Sequence, residues 1–533
     1  MVPSNPASDE RTRPVSEVIT VQAPPTTMGG VLRRLGPGLI IAGSIVGSGE
    51  LIMTTKTGAE AGYWLLWLIV IGCIIKVFVQ IEFGRFAITQ GKTSLEGMNE
   101  LPGPRLRVNW LVWYWVLMFT IGLGQLGGIL GGVGQSLAIS VPITGDYNVY
   151  LEQLSERTRF DAAVEERLSE LRAAPTDGSI DDAALRAGAE VEVVATLGLP
   201  PDLPMHYDDL YWCCAIALVT SVLLVNGRYG IIQAVATTFV ALFTLVTIVN
   251  LAALQSHPDW ATGWSDLRDG FSFALPPNST TAVATALAAF GIIGVGASEL
   301  VAYPYWCLEK GYARFTGPRA ESDSWAQRAS GWLRVMRWDA WCSMFVYTFA
   351  TLAFYLLGAA VLNRAGTVPA NEALISTLAN MYVPVFGRWA APVLLGGAFA
   401  VLYSTFFVAT AGNSRLASDA LRVFGIRRDD EASRHRWVRI FSGAFPIISL
   451  TIFYFIPKPV TLVAVSGLTQ AIMLPMLGAA ALFFRYRRCD SRLRPSRVWD
   501  GWLWLSCTGL LIAGAWGARK PLMGLLEQLG LLP

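Results

Sequence analysis

The sequence predicts an all-α polytopic membrane protein of about 11 transmembrane helices, arranged as a 5+5 inverted repeat with helices one and six broken. Three observations predict it. Apolar runs long enough to cross roughly 30 Å of hydrocarbon recur along most of the 533 residues. Two of these runs, about 255 residues apart, carry helix breakers and a carboxylate at membrane depth, where irregular backbone survives only if it lines a protein cavity. Basic residues cluster in alternate connecting segments, as the positive-inside rule requires.

Composition sets the class. Hydrophobic residues make up 53% of the chain and charged residues only 15%, with 19 Trp and 51 Gly. Soluble chains carry about a quarter charged residues. The net charge of +2 matters less than where the charges lie. The first thirty residues are polar and Pro-rich, without the apolar core of a cleaved signal, so 1–35 reads as a disordered cytoplasmic tail. The seven cysteines lie in or beside apolar runs with no CxxC, and read as buried small hydrophobes rather than disulfides or a zinc site.

Apolar runs place spans near 37–57, 63–88, 109–139, 210–226, 230–254, 280–305, 338–362, 389–413, 439–456, 459–484 and 500–517. With the N-terminus inside, most Lys and Arg fall on the inner side, notably at 85–107, 310–337, 415–439 and 485–497. This orientation leaves the C-terminus outside and suits a multi-pass protein of the cell (inner) membrane. The organisation is then spans one to three in 36–140, an extracytoplasmic helical insert in 141–209, spans four and five in 210–279, the second repeat in 280–484, and span eleven with the C-terminus in 485–533. Removing the insert leaves about 185 residues per repeat, enough for five spans, and an odd number inverts the second unit. The insert, rich in Ala, Glu and Arg at helical spacing, predicts two or three short helices, serving as a lid or docking surface or simply as a tolerated insertion.

The first interrupted run is GPGLIIAGSIVGSGELIMTT from Gly36, breaking at Gly47, Ser48, Gly49 and Glu50; the second is ALAAFGIIGVGASELVAYPYWCLEKG from Ala286, breaking around Tyr303, Pro304 and Tyr305. With the opening GPG, the LLW at Leu65 and the Gln80 to Arg85 spacing in span two, these segments resemble the NRAMP (natural-resistance-associated macrophage protein) family of divalent-metal transporters. The resemblance covers nearly the whole chain apart from the tail and the insert. It implies the broken-helix, five-plus-five fold with substrate held between helices one and six. The family's Asp-Pro-Gly-Asn falls here on Gly47, Ser48, Gly49 and Glu50, and its Met-Pro-His on Tyr303, Pro304 and Tyr305. Span three has no acid from Leu111 to Gly134 and span six no His, so the proton route the family implies lacks its residues here.

The residues at the breaks carry their own chemistry. Glu50 is an ionisable group inside a span, a functional candidate by default, and with Ser48 and freed carbonyls it forms a hard-oxygen metal site suited to Mn²⁺, Mg²⁺ or Ca²⁺. The competing reading pairs Glu50 with Lys56 or makes it a helix cap. Glu299 lies one turn before the Tyr303–Pro304 break and faces the same cavity, or else bonds a neighbouring hydroxyl. Tyr303 and Tyr305 offer hydroxyls or pack as gates. Ser44, Ser48, Thr54 and Thr55 are oxygen donors or satisfy their own helix. Lys76, Glu82 and Arg85 form a charged stripe explained by an ion pair or snorkelling. Gln125, among the close-packing glycines of span three, is a candidate to line the path, and Gln470 with Pro475 in span ten falls where the family resemblance implies a polar ligand.

The reading is a secondary transporter of a divalent cation, weakly or not proton-coupled, with the cation as substrate and no cofactor. The alternative is a transporter of amino acids or other small organic solutes, because Ile45 to Gly49 resembles the IIGSG element of amino-acid/polyamine transporters, where half-helix N–H groups cradle a carboxylate. A non-transporting receptor on the same fold is a third class. No P-loop or paired-His zinc motif points to an enzyme, and the scattered basic residues give no nucleic-acid surface. The partners are thus a small solute and the lipid bilayer.

Overall fold

The computed structural model describes residues 21–38, 40, 46–173, 182–227, 229–276 and 280–528. The chain runs through α1 (Met28–Arg34), a π-helix (Val46–Thr54) continued by α2 (Thr55–Ala61), α3 (Leu66–Gln90), α4 (Ser94–Asn99), α5 (Trp110–Ser140), α6 (Asp146–Ala173), α7 (Asp182–Leu197), α8 (Asp208–Val225) and α9 (Tyr229–Leu254). It continues through α10 (Thr280–Ile292), α11 (Ala297–Glu309), α12 (Asp323–Leu357), α13 (Ala390–Val423), α14 (Glu431–Phe455), α15 (Pro459–Phe483) and α16 (Arg497–Gln528). One two-residue ladder, Arg105–Leu106 with Val108–Asn109, turns the chain between α4 and α5.

Among the described residues nine helices are long and apolar enough to span a bilayer, with Thr238–Leu254 as a shorter apolar helix. The expected eleven are not all reached by that measure; helix one enters the described residues as a π-helix and a short α-helix. Residues 21–35 depart from the expected disordered tail. The Gln22 N–H donates to the Phe315 carbonyl at 3.0 Å, Trp332 donates its indole N–H to the Gln22 carbonyl, and the Thr27 hydroxyl caps α1. The insert forms two helices, α6 and α7, with α6 longer than expected. They pair through Phe160, Val164, Leu168, Ala189 and Val193.

Lipid supplies no hydrophobic drive between helices, so close packing and internal hydrogen bonds hold the bundle. Backbone meets backbone at two glycine pairs. A Cβ on Gly58 would collide with the Tyr355 carbonyl, and one on Gly358 with the Thr55 carbonyl, locking α2 to the end of α12. Likewise Gly291 lies against the Gly467 carbonyl and Gly467 against that of Ala288, locking α10 to α15. Cys73, Cys213, Cys307 and Cys507 are buried free thiols, whereas Cys214 is exposed and Cys342 and Cys489 are intermediate, so burial holds for only part of that set.

Helix one is anchored by a side chain three hundred residues away. Buried Asp339 of α12 accepts the Gly36 N–H at 2.8 Å and the Gly38 N–H at 2.5 Å, and the Tyr303 hydroxyl at 3.1 Å. A Cβ on Gly38 would sit 2.8 Å from that carboxylate, so the GPG sequence is what lets the chain approach. Asp339→Ala removes the acceptor of three donors, of which the buried Gly38 N–H is left to bear about 1–3 kcal/mol, while Gly36 is half-buried and the Tyr303 hydroxyl keeps the Met336 carbonyl at 3.3 Å. Thermal unfolding in detergent should show a clear drop in melting temperature for Asp339→Ala and a smaller one for Tyr303→Phe; wild-type melting in the first variant would remove Asp339 from this role.

Candidate functional site

The two interrupted segments meet, but neither is interrupted as the sequence suggested. Helix one does not break at Gly47–Glu50. It widens into a π-helix over Val46–Thr54, whose surplus backbone acceptors are met by hydroxyls: Thr54 donates to the Gly49 carbonyl at 2.9 Å and Thr55 to that of Glu50 at 3.4 Å. Thr54 is therefore committed to its own helix. Ser44 and the side chain of Ser48 lie outside the described residues.

Span six breaks at Ile293–Gly296, not at Tyr303–Tyr305. Gly294 takes φ +58°, and a Cβ there would press on Tyr347 and Cys73 at 3.0 and 3.2 Å, so a residue without a side chain is needed. Pro304 instead sits inside α11, which continues through it. Proline is tolerated in membrane helices when neighbours satisfy what it frees. Tyr303 and Tyr305 are thereby carried away from the break: Tyr303 bonds Asp339, and Tyr305 donates to Asp419 at 2.5 Å.

Glu50 is buried at the centre of this arrangement. Its Oε1 accepts the Gly294 N–H at 3.3 Å and lies 3.0 Å from the Thr351 hydroxyl. That hydroxyl is also 2.7 Å from the Tyr347 carbonyl, and its one proton serves one acceptor at a time. Oε2 is buried with no hydrogen-bond partner. Lys56 pairs with Glu60 at 2.9 Å, not with Glu50. Helix one is seated beside Glu50 by the Gly47 N–H, which donates to Thr405 Oγ1 at 3.1 Å, and by Gly49, whose Cβ position lies 3.0 Å from the Ile292 carbonyl.

Glu299 stands in the first turn of α11, partly buried, its Oε2 2.5 Å from where a Cβ of Gly296 would be. The two carboxylates thus flank the same four-residue break. Gln470 and Gln125 complete the layer. Gln470 Oε1 accepts the Ser298 N–H at 3.1 Å, and Gln125 Oε1 accepts from Gln470 and from Ser466, each at 2.8 Å. Spans three, six and ten are joined there through neutral amides.

Three participants were missed by sequence reasoning. Lys76 was grouped with Glu82 and Arg85, but those two pair with each other at 3.1 Å while Lys76 is buried and donates to the carbonyls of Phe290 and Ile293. Gln80, one turn further along α3, buries an amide whose two polar atoms have no hydrogen-bond partner. Thr351 had no signal beyond lying in an apolar run. The Gly294-Val295-Gly296 triplet, by contrast, stood in the second run and marked the break more truly than Pro304.

Two cavities lie away from the break, one at the end of α11 and one where α2 gives way to α3. One of about 370 Å³ is lined by Thr93, Tyr305, Glu309, Arg415, Asp419 and Arg422, and is crossed by ion pairs of Arg415 and Arg434 with Glu309 and of Arg422 with Glu96 and Asp419. The other, about 320 Å³, is lined by Glu60, Tyr63, Asp266, Asp269 and Asn363. Glu50 opens on neither. Among the described residues no three His, Cys, Asp or Glu side chains form a group that could hold a metal ion.

The family model described as natural resistance-associated macrophage protein-like matches residues 187–516, more than half of the chain. A divalent metal cation transporter, MntH, of Caldanaerobacter subterraneus subsp. tengcongensis is 29% identical over 114 residues, 21% of this chain and 26% of that protein. The match therefore spans about a quarter of that relative. A point variant of the Eremococcus coleocola manganese transporter superposes with a TM-score of 0.55 at 15% identity, covering 93% of this chain and 88% of that one. The same transporter in complex with an aromatic bis-isothiourea substituted compound gives 0.54 at 15%, covering 94% and 89%. At such identity the likeness is one of fold.

Gly294→Ala places a β-carbon in left-handed backbone, a cost of about 1–2 kcal/mol before the contacts with Tyr347 and Cys73 are counted. A lowered melting temperature is expected; a variant as stable as the wild type would mean that the break tolerates a side chain.

Proposed function

The chain belongs to the natural-resistance-associated macrophage protein family, and from that premise we propose that it is a secondary transporter of a divalent cation of the Mn²⁺ or Mg²⁺ type. The observation that carries the reading is Glu50 Oε2, a buried carboxylate oxygen without a partner, set between a π-helical span one and a broken span six. An unsatisfied buried acceptor costs free energy that an arriving cation removes. Glu50 supplies charge, Glu299 a second carboxylate across the break, and water the remaining ligands. Oxygen-only, partly hydrated coordination suits hard cations, which give up water reluctantly.

The same geometry weighs against the organic-solute alternative. A carboxylate cradle needs free N–H groups at the Gly-Ser-Gly run, and the Gly47 N–H is taken by Thr405. Tyr303 and Tyr305, engaged with Asp339 and Asp419, are not substrate ligands in this reading. With no acid in residues 111–134 of span three and no His in span six, transport proceeds with little or no proton coupling. The N-terminus faces the cytoplasm of a cell membrane and the C-terminus lies outside, as the charge distribution requires.

Calorimetric titration of the purified protein with Mn²⁺, Mg²⁺ and a panel of amino acids tests this. Saturable divalent-ion binding is expected, weakened by about tenfold or more in Glu50→Gln, a loss of at least 1.4 kcal/mol. Amino-acid binding without a metal response would transfer the chain to the organic-solute class. In liposomes, metal uptake should move few protons; metal-driven acidification abolished by Glu50→Gln would overturn the uncoupled reading.

A further inference from the structure

We propose that Lys76 is a tethered cation, filling from within the protein a monovalent-cation site built by the carbonyl end of α10. Lys76 lies near the middle of the 25-residue α3 and is fully buried, so its ammonium cannot reach an interface by snorkelling. Its partners are the Phe290 carbonyl, the Ile293 carbonyl at 2.8 Å, and the face of the Phe290 ring, whose centroid is 4.7 Å from Nζ. Among the described residues no carboxylate is paired with it. Two backbone carbonyls and an aromatic face are what an alkali or small ammonium ion coordinates. Phe290 lies in the last turn of α10 and Ile293 follows directly after it at the break, where the dipole is negative and orphan acceptors would otherwise be left in a dry interior.

The site is coupled to Glu50 by a single peptide group. Ile293 offers its carbonyl to Lys76, and the N–H of that same peptide, on Gly294, goes to Glu50. The positive charge thus reaches the candidate substrate carboxylate through one polarised amide, which accounts for a cationic side chain in a transporter of cations: it holds the break in shape without occupying Glu50 itself. A transporter built this way needs no soluble alkali co-ion. The link to transport rests on the reading of Glu50 given above; the cation site itself does not.

Thermal unfolding of the full chain in detergent tests the site without reference to metal. Wild-type melting should be the same in sodium, potassium, methylammonium and choline chloride at equal ionic strength. Lys76→Ala should melt lower in choline and rise saturably with methylammonium or sodium, while Lys76→Met, which fills the space without charge, should melt lower and ignore every cation. If Lys76→Ala survives purification only with methylammonium present, that dependence is the same positive result. A Lys76→Ala protein indifferent to all small cations, or a Lys76→Met protein as stable as the wild type, overturns the proposal. Reconstituted flux then separates the two readings. Cation rescue of Lys76→Ala without divalent uptake by the wild type keeps the tethered cation and removes the metal assignment. Divalent uptake lost in Glu50→Gln, with no cation effect on Lys76→Ala, does the reverse.

Discussion

The peptide group between Ile293 and Gly294 is the constraint on which the centre of this protein depends. Its N–H faces the Glu50 carboxylate and its carbonyl faces the Lys76 ammonium. A peptide carries a dipole of about 3.5 D, and here both ends meet the charge that suits them. Helix one supplies the anion, helix two the cation and helix six the connector. The connector must be bare, because Gly294 adopts a positive φ against Tyr347 and Cys73. Span six is broken at this point because the break itself has been given partners.

Two kinds of buried carboxylate are thereby distinguished. Asp339 is saturated by two glycine N–H groups and a tyrosine hydroxyl, and Asp419 takes Tyr305, Thr93 and Arg422. Such groups join segments far apart in sequence and have nothing left to offer a ligand. Glu50 keeps one oxygen unengaged. Burial alone would not separate these three acids; the tally of donors does.

The spans and the burial of Glu50 inside one of them were legible because both depend on contrast: polar against apolar along a chain that must cross hydrocarbon. Membership in the family was legible from the GPG and the paired segments, and the structure explains the first of these through Asp339. The location of the second break was not legible. Proline reads locally as a breaker, whereas its tolerance at position 304 is settled by the packing of α11, and the real break is marked by glycines that membrane helices also use for close contact. Lys76 was misassigned for a related reason. Its spacing to Glu82 and Arg85 suggested a stripe, and its actual partners are backbone carbonyls more than two hundred residues away, which no local pattern announces. The tail at 21–35 looked disordered by composition, yet a few bonds to Phe315 and Trp332 hold it.

The glycine pairs have a mechanical consequence. Where α2 meets α12, and where α10 meets α15, main chain rests on main chain with no side chain between. Side chains can change rotamer and act as a lubricant; apposed backbones cannot. Each pair is therefore a weld, and any rearrangement that exposes Glu50 must pass between the welded units rather than within them. Glu50 itself lies outside both welds, on the π-helix beside the Ile293–Gly296 break. In the reading proposed above, the carboxylates offered to the cation thus lie between the welded pairs and belong to neither.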